Sequence, residues 1–277
     1  MKYGVIIFPT TYTMTPAELG VAAEERGFES LWFPEHTHIP ASRESPWPGG
    51  ADLPQEYYDT YDLFLALSMA AQATTKLIVG AGICLVIEHD PIVLAKKVAT
   101  LDHLSDGRFI FGIGGGWNVE EMRNHGTDFK RRWKVMRERI EAMKEIWTKD
   151  QAEYHGEFVD FDPIFSNPKP NQKPHPPILI GGAAPWAIKR AVRYCDGWIP
   201  IGIRDDITEH IPKMRAMAKE AGRDPDSLSI TIFGTLPDKD SISKYEDAGA
   251  ERCNFFLPSA GADKVLPIMD SLAQLIE

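Results

Sequence analysis

The sequence predicts an α/β protein, a single (β/α)8 TIM barrel domain over residues 1–277. Strand-like and helix-like segments alternate from end to end, eight such pairs can be counted, and no shift in composition divides the chain. A doubly wound open sheet is the other architecture built from this alternation, and the alternation by itself does not separate a closed sheet from an open one.

The first strand is YGVIIF, Tyr3 to Phe8. The helix after it opens at Thr15-Pro16-Ala17-Glu18, where Thr15 suits the N-cap, Pro16 the first helical position, and Glu18 completes a capping box. SLWF, Ser30 to Phe33, is the second strand. The Pro-, Gly- and aromatic-rich stretch THIPASRESPWPGGADLPQEYY that follows is expected to be a long irregular loop over a site. Tyr61 to Thr74 reads as an apolar helix, KLIVGAGI as the third strand, and Asp90-Pro91 as the start of a helix with Leu94, Val98 and Leu101 on one face. RFIFGI is the fourth strand. One long amphipathic helix is expected beyond it, with Trp133, Met136, Ile140, Met143 and Trp147 as its core stripe. Residues 150–176 form an insertion before strand five, in which YHGEFVDF suggests a small hairpin. The remaining pairs are PILIGG with Trp186–Tyr194, GWIPI with Ile207–Ala221, Ser229–Phe233 with Lys239–Ala248, and CNFFL with Lys264–Leu275.

Composition bounds the function. At 43% hydrophobic and 25% charged residues the chain reads as globular, and its formal net charge of −10 argues against a nucleic-acid partner, because phosphate backbones require a basic face. Cys84, Cys195 and Cys253 are odd in number, widely spaced and without a C-x-x-C pair, so neither a disulfide framework nor a thiolate metal site is expected. The opening MKYGVIIFPT begins directly as a strand, and no apolar run reaches membrane-spanning length; cytoplasmic residence and no membrane partner are the expectation.

In a barrel the site lies where strands end and βα loops begin. That rule selects Phe8-Pro9, Pro34-Glu35-His36, Gly82-Ile83-Cys84, Gly114 to Asn118, Gly181 to Ala183 and Ile201-Gly202. The run Gly112-Ile113-Gly114-Gly115-Gly116-Trp117 places Trp117 where a dinucleotide fingerprint needs its third glycine, and no G-K-[ST] is present, so neither a Rossmann site nor a P-loop fits. Three successive glycines at a strand exit still leave backbone bare against something flat. His36-Thr37-His38 has the spacing of a metal-binding pair, but strands five, six and eight end in Gly-Gly, Ile-Gly and Leu-Pro, which supply no further ligands; no metal is expected. A lone His36 beside Glu35 in a cleft suits a proton donor or acceptor, or a hydrogen-bonded structural histidine. From Pro163 to Cys195 there is no Asp or Glu, whereas Lys169, Lys173, Lys189, Arg190 and Arg193 occur. This positive island surrounds Gly181-Gly182 just before a helix start, a ready anion site.

Several ordered blocks carry a family resemblance. They are AEERGFESLWFPEHTHIP, VGAGICLV, DPIVLAKKVATLDHLSDGRFIFGIGGGWNVEEMRNHG, NPKPNQKPHPPILIGG and CDGW, which together span nearly the whole chain. The sequence resembles the luciferase-like flavin and deazaflavin oxidoreductases, and most of all their short coenzyme F420-dependent branch. The resemblance implies a (β/α)8 barrel, often dimeric, with the ring's reactive face in the barrel mouth. It implies hydride transfer between coenzyme F420 and a small organic substrate, with FMN- and oxygen-dependent monooxygenation or a non-catalytic flavin-binding subunit as the alternatives. It assigns Glu35 and His36 to the end of strand two as catalytic and cofactor-binding residues. It also implies a non-proline cis peptide at Gly82-Ile83 against the back of the ring, Gly114, Gly115, Gly116 and Trp117 along the ring and its linker, and a phosphate turn at Gly181, Gly182 and Ala183. Trp47, Tyr57, Tyr58 and Trp117 are expected to wall the pocket. Sugar-phosphate dehydrogenases of the family carry a catalytic Glu where this chain has Trp117, so that acid–base arrangement does not transfer. Glu120 and Glu121 are ascribed to the helix dipole.

Overall fold

Eight parallel strands close on themselves, which resolves what alternation leaves open. The computed structural model describes residues 1–50, 52–203 and 206–276. In chain order its elements are β1 (Lys2–Ile6), α1 (Pro16–Glu25), β2 (Ser30–Phe33), α2 (Glu56–Asp59), α3 (Leu63–Ala73), β3 (Ile78–Ala81), α4 (Pro91–Leu104), β4 (Phe109–Ile113), α5 (Val119–Asn124) and α6 (Arg132–Thr148). They continue with β5 (Ala152–His155), β6 (Asp160–Ile164), β7 (Ile178–Gly181), α7 (Trp186–Tyr194), β8 (Gly197–Ile199), α8 (His210–Glu220), β9 (Ser229–Phe233), α9 (Lys239–Asp247), β10 (Arg252–Phe256) and α10 (Ala262–Ile276).

The barrel order is β1-β2-β3-β4-β7-β8-β9-β10, and β1 closes it by pairing with β10 from Lys2↔Arg252 to Ile6↔Phe256. The open doubly wound sheet is thereby set aside. β5 and β6 form the expected antiparallel hairpin outside the barrel. Inside, Ile6, Trp32, Ile110, Leu179, Ile199 and Phe233 from six strands make a small apolar core. The alternate strand residues, such as Val5, Leu31, Phe111 and Ile180, pack outward against the helices in the larger one. Among the described residues no helix is long and apolar enough to cross a membrane.

Local chemistry sets the helix starts. Thr15 and Glu18 form the reciprocal box at α1, and the carboxylates of Asp62, Asp90 and Asp238 accept the N–H of Leu65, Val93 and Ser241 at the starts of α3, α4 and α9. Two expectations are corrected. The stretch after β2 is not wholly irregular, because it ends in the short α2. The single long helix after β4 is two helices, α5 and α6, separated at the left-handed Gly126 (φ 79°).

Candidate active site

The residues that follow β2, β3, β4 and β7 meet at one end of the barrel. His36 lies two residues beyond the buried Pro34, and its Nδ1 is 2.8 Å from Glu121 Oε2. The second Glu121 oxygen accepts the Thr37 N–H at 3.2 Å. Glu121 is placed by α5, whose N-cap Asn118 accepts the Glu121 N–H through Oδ1 at 3.2 Å, so the carboxylate leaves the first helical turn toward β2. Its side chain is 1% exposed and that of His36 8%. The role ascribed to Glu121 from sequence is therefore corrected: it is a buried partner of His36, 85 positions away, and not merely a dipole residue. Aromatic rings bracket the imidazole, Tyr57 at 5.2 Å between centroids and Trp117 at 5.9 Å, and Tyr57 packs in turn on Phe8 and Trp47. Tyr58, expected in this wall, is 46% exposed. The loop carrying Trp47 is tied down where Ser45 Oγ accepts the Val119 N–H.

Glu35 faces the other way. Its oxygens accept the Leu85 N–H at 2.6 Å and meet His89 Nε2 at 2.8 Å, so it clamps the segment after β3 from beneath the mouth. Burial opposes its ionisation, but His89, the Leu85 N–H and the Cys84 thiol outweigh that and hold the carboxyl below its ordinary range. Glu35, Cys84 and His89 bring potential ligand atoms within 4.8 Å, yet both oxygens of Glu35 are engaged and burial, then the Glu35 charge, keeps Cys84 a neutral thiol. The clamped segment carries the cis Gly82-Ile83 peptide. Ile83 fills the space that a Cβ at Gly114 would occupy and lies 3.3 Å from where one at Gly181 would stand, which joins the exits of β3, β4 and β7. A Cβ at Gly115 would stand 2.7 Å from the Trp133 ring, so this glycine admits an indole as well as leaving backbone bare. Gly116 has φ 63°, a turn that disfavours any Cβ.

A third carboxyl lies nearby. Glu88 is buried, its Oε2 has no hydrogen-bond partner and stands 3.6 Å from His125 Nε2. Burial, followed by the charges of Glu121 and Glu35, pushes it up to about 9. His125 is shifted down, by burial first and then by His38. His38 contacts the Thr37 hydroxyl and Asn124, whereas His36 contacts Glu121, so the two rings of the H-x-H pair have different partners.

Along the mouth, Arg132, Trp133, Gly182, Ala183, Trp186, Ala187 and Arg190 line a cavity of about 480 Å³ at the start of α7. The Arg190 guanidinium lies 3.6 Å and that of Arg132 5.1 Å from the centre of the Trp133 ring. Arg132 Nε is buried without a partner, and burial followed by the Arg190 charge weakens its hold on its proton. Two guanidiniums facing one cavity ask for an anion. The positive island is thus narrower than its sequence window: Lys169 binds the carbonyls of Ile146 and Lys149, Lys173 binds that of Pro170, and Arg190 alone of the window lines the cavity. Arg132 and Trp133 come instead from α6, where the helical stripe assigned Trp133 to the core. A further cavity of about 320 Å³ opens at the opposite end of the barrel among Lys2, Arg108, Glu251 and Arg252, where the strands begin.

Comparison with known proteins follows this geometry. The uncharacterized protein Rv0953c of Mycobacterium tuberculosis is 38% identical over 277 residues, 99% of this chain and 98% of that one. The F420-dependent hydroxymycolic acid dehydrogenase of the same organism is 24% identical over 233 residues, 82% of this chain and 60% of its own. The structure of an F420-dependent secondary alcohol dehydrogenase, in complex with an F420–acetone adduct, superposes with a TM-score of 0.79 at 19% identity, covering 99% of this chain and 97% of that one. Residues 10–249 match the family model described as luciferase-like monooxygenase, and the chain belongs to that family.

Proposed function

We propose that the protein is an oxidoreductase that moves a hydride between bound coenzyme F420 and a small organic substrate. The His36–Glu121 pair at the aromatic mouth is the observation that carries this reading. The F420-dependent relatives add to it. When bound, the deazaflavin supplies or accepts the hydride and reacts poorly with oxygen. Gly82, Ile83 and the Gly114–Trp117 exit would hold its ring, and Gly181, Gly182 and Ala183 with Arg132 and Arg190 its anionic tail. The fit rests on the cavity beside Gly182 and on the buried Arg132 Nε, which has no hydrogen-bond partner.

The chain's own residues handle the proton. With Nδ1–H donated to Glu121, the His36 tautomer leaves Nε2 to take a proton from an alcohol or, once protonated, to give one to a carbonyl oxygen. The buried carboxylate orients the ring and fixes its tautomer. Tyr57, Trp117 and Trp47 exclude water from the imidazole. Glu35 acts one layer below as the clamp of the 84–89 segment. The proposal includes a homodimer, for which Leu65 and Met69 on α3 and Val93 and Leu104 on α4 present large exposed side chains.

Equilibrium titration of the purified chain with F420 and with FMN tests the cofactor assignment. Tighter F420 binding that weakens as salt rises is expected, because the tail is anionic. Tighter FMN binding with FMN-dependent oxygen consumption would move the protein to the monooxygenase reading. Failure to bind either ring would leave neither activity standing.

A further inference from the structure

Arg43 sits in the loop after β2 with its backbone in the left-handed region (φ 50°), an uncommon conformation for a residue with a Cβ. Its guanidinium carbon stands 5.9 Å from the centre of the Trp117 ring, the same indole that packs edge-on against His36. Arg43 Nη1 is buried and has no hydrogen-bond partner. Among the described residues the guanidinium forms no ion pair, in a chain with 40 carboxylates. Glu120 on α5 forms no ion pair with it among the described residues, and Glu120 Oε2 is itself buried without a hydrogen-bond partner. Arg108 and Arg252 are satisfied, Arg108 donating to three carbonyls and a hydroxyl and Arg252 to Glu29 and Thr231, whereas Arg132, Arg137 and Arg139 each keep a buried Nε without a hydrogen-bond partner. Arg190 likewise lies over a tryptophan, Trp133, and lines the cavity beside Gly182. A buried donor of this strength without a partner is unfavourable unless a ligand supplies the acceptor.

We propose that Arg43 is a substrate-recognition residue, and that the substrate is a small apolar molecule bearing one carboxylate, bound between the Trp117 indole and the aromatic wall of Phe8, Trp47 and Tyr57. This rests on the assignment of His36 to the reacting side. The cofactor's anionic tail already has Arg132 and Arg190 at the β7 side, which leaves Arg43, on the β2 side, for a separate anion. The planar guanidinium fork favours a carboxylate held through two parallel hydrogen bonds. The apolar rings favour a body without further charge, and the reducible or oxidisable group would then face His36.

Calorimetric titration of the full-length chain with phenylacetate, its neutral isostere phenylacetamide, and phenyl phosphate tests the inference without any cofactor. Phenylacetate should bind at least about 10-fold tighter than phenylacetamide, the usual scale of a charge-assisted pair. Arg43→Met should abolish that ratio and Arg43→Lys should keep part of it; Arg43→Gln carries the same test should the Met variant melt early. Arg132→Met should keep the ratio while losing F420 affinity. Equal binding of acid and amide, a ratio that survives in Arg43→Met, or a ratio lost in Arg132→Met would each overturn the proposal. So would tighter binding of phenyl phosphate than phenylacetate, or no binding of any probe. A failed F420 titration alongside an intact Arg43-dependent ratio would instead count against the cofactor assignment alone.

Discussion

In the proposed reaction His36 exchanges the proton and Glu121 orients the imidazole, and their variants should differ accordingly. His36→Ala should slow the chemical step about 10²–10⁴-fold, the usual worth of positioned acid–base catalysis, while F420 affinity stays within a few-fold. Glu121→Gln should slow it about 10–100-fold, the scale of an orienting partner, and should alter the pH profile rather than the affinity. Single-turnover kinetics beside cofactor titration separates the two; a His36→Ala protein with unchanged chemistry would remove the imidazole from the mechanism. Glu88 yields a prediction about pH. Its carboxyl is raised from the ordinary 4.5 to about 9 by burial and the neighbouring carboxylates, so the native state keeps a proton that the unfolded chain has released. Its contribution to stability is therefore fully present below about pH 4.5 and is lost as pH rises toward about 9. Glu88→Gln removes that slope, and its denaturation midpoint should gain on the wild type between pH 6 and pH 9. A parallel pair of profiles would show that Glu88 is ionised in the native state. At this scale the sequence disclosed the residues at strand ends, His36 among them. It concealed Glu121 and Arg43, because their roles depend on partners 85 and 74 positions away, and no local period reports such contacts.

α6 shows how an element can be read correctly and still be misassigned at one position. The 3.6-residue period placed Trp133, Met136, Ile140, Met143 and Trp147 on one stripe, and Met136, Ile140, Met143 and Trp147 are indeed buried, Trp147 donating to the Ala95 carbonyl of α4. Trp133 lies in the first turn, where it is only partly buried against the core, and it also becomes the floor beneath Arg190. The same turn explains Gly115, whose missing side chain the indole occupies. Gly115→Val should cost about 1–3 kcal/mol through overpacking and, by displacing Trp133 and Arg190, should weaken F420 binding as well. Denaturant melts and cofactor titration on the one variant read both effects; normal stability and normal binding together would mean that the glycine serves turn geometry alone. Caps and breakers made most helix starts legible, since Thr15–Glu18 and Asp90-Pro91 act on their own backbone. The break between α5 and α6 escaped because the apolar period continues in phase across the left-handed Gly126.

For the whole molecule, eight βα pairs were enough to name the architecture, and closure followed from tertiary pairing of β1 with β10 that no segment encodes alone. The barrel gathers the loop exits at one end, so the His36–Glu121 pair from the β2 exit and α5, the arginine-lined cavity from α6 and α7, and Ile83 after β3 share one mouth. Association belongs to this scale. Sedimentation equilibrium should give a dimer, and Met69→Glu, which places a charge among the exposed side chains of α3 and α4, should shift it to monomer; a monomeric wild type would end the dimer proposal. The central claim is hydride exchange through bound deazaflavin. Its most direct test is to mix the purified chain with F420 under anaerobic conditions and follow the deazaflavin's visible absorbance while alcohols, carbonyls and electron-poor alkenes are supplied in turn. The claim predicts that at least one of them changes the deazaflavin's redox state in equal stoichiometry, with transfer of deuterium from labelled substrate or labelled cofactor and slow turnover in His36→Ala. Turnover seen only with reduced FMN and oxygen, and none with F420, would contradict it.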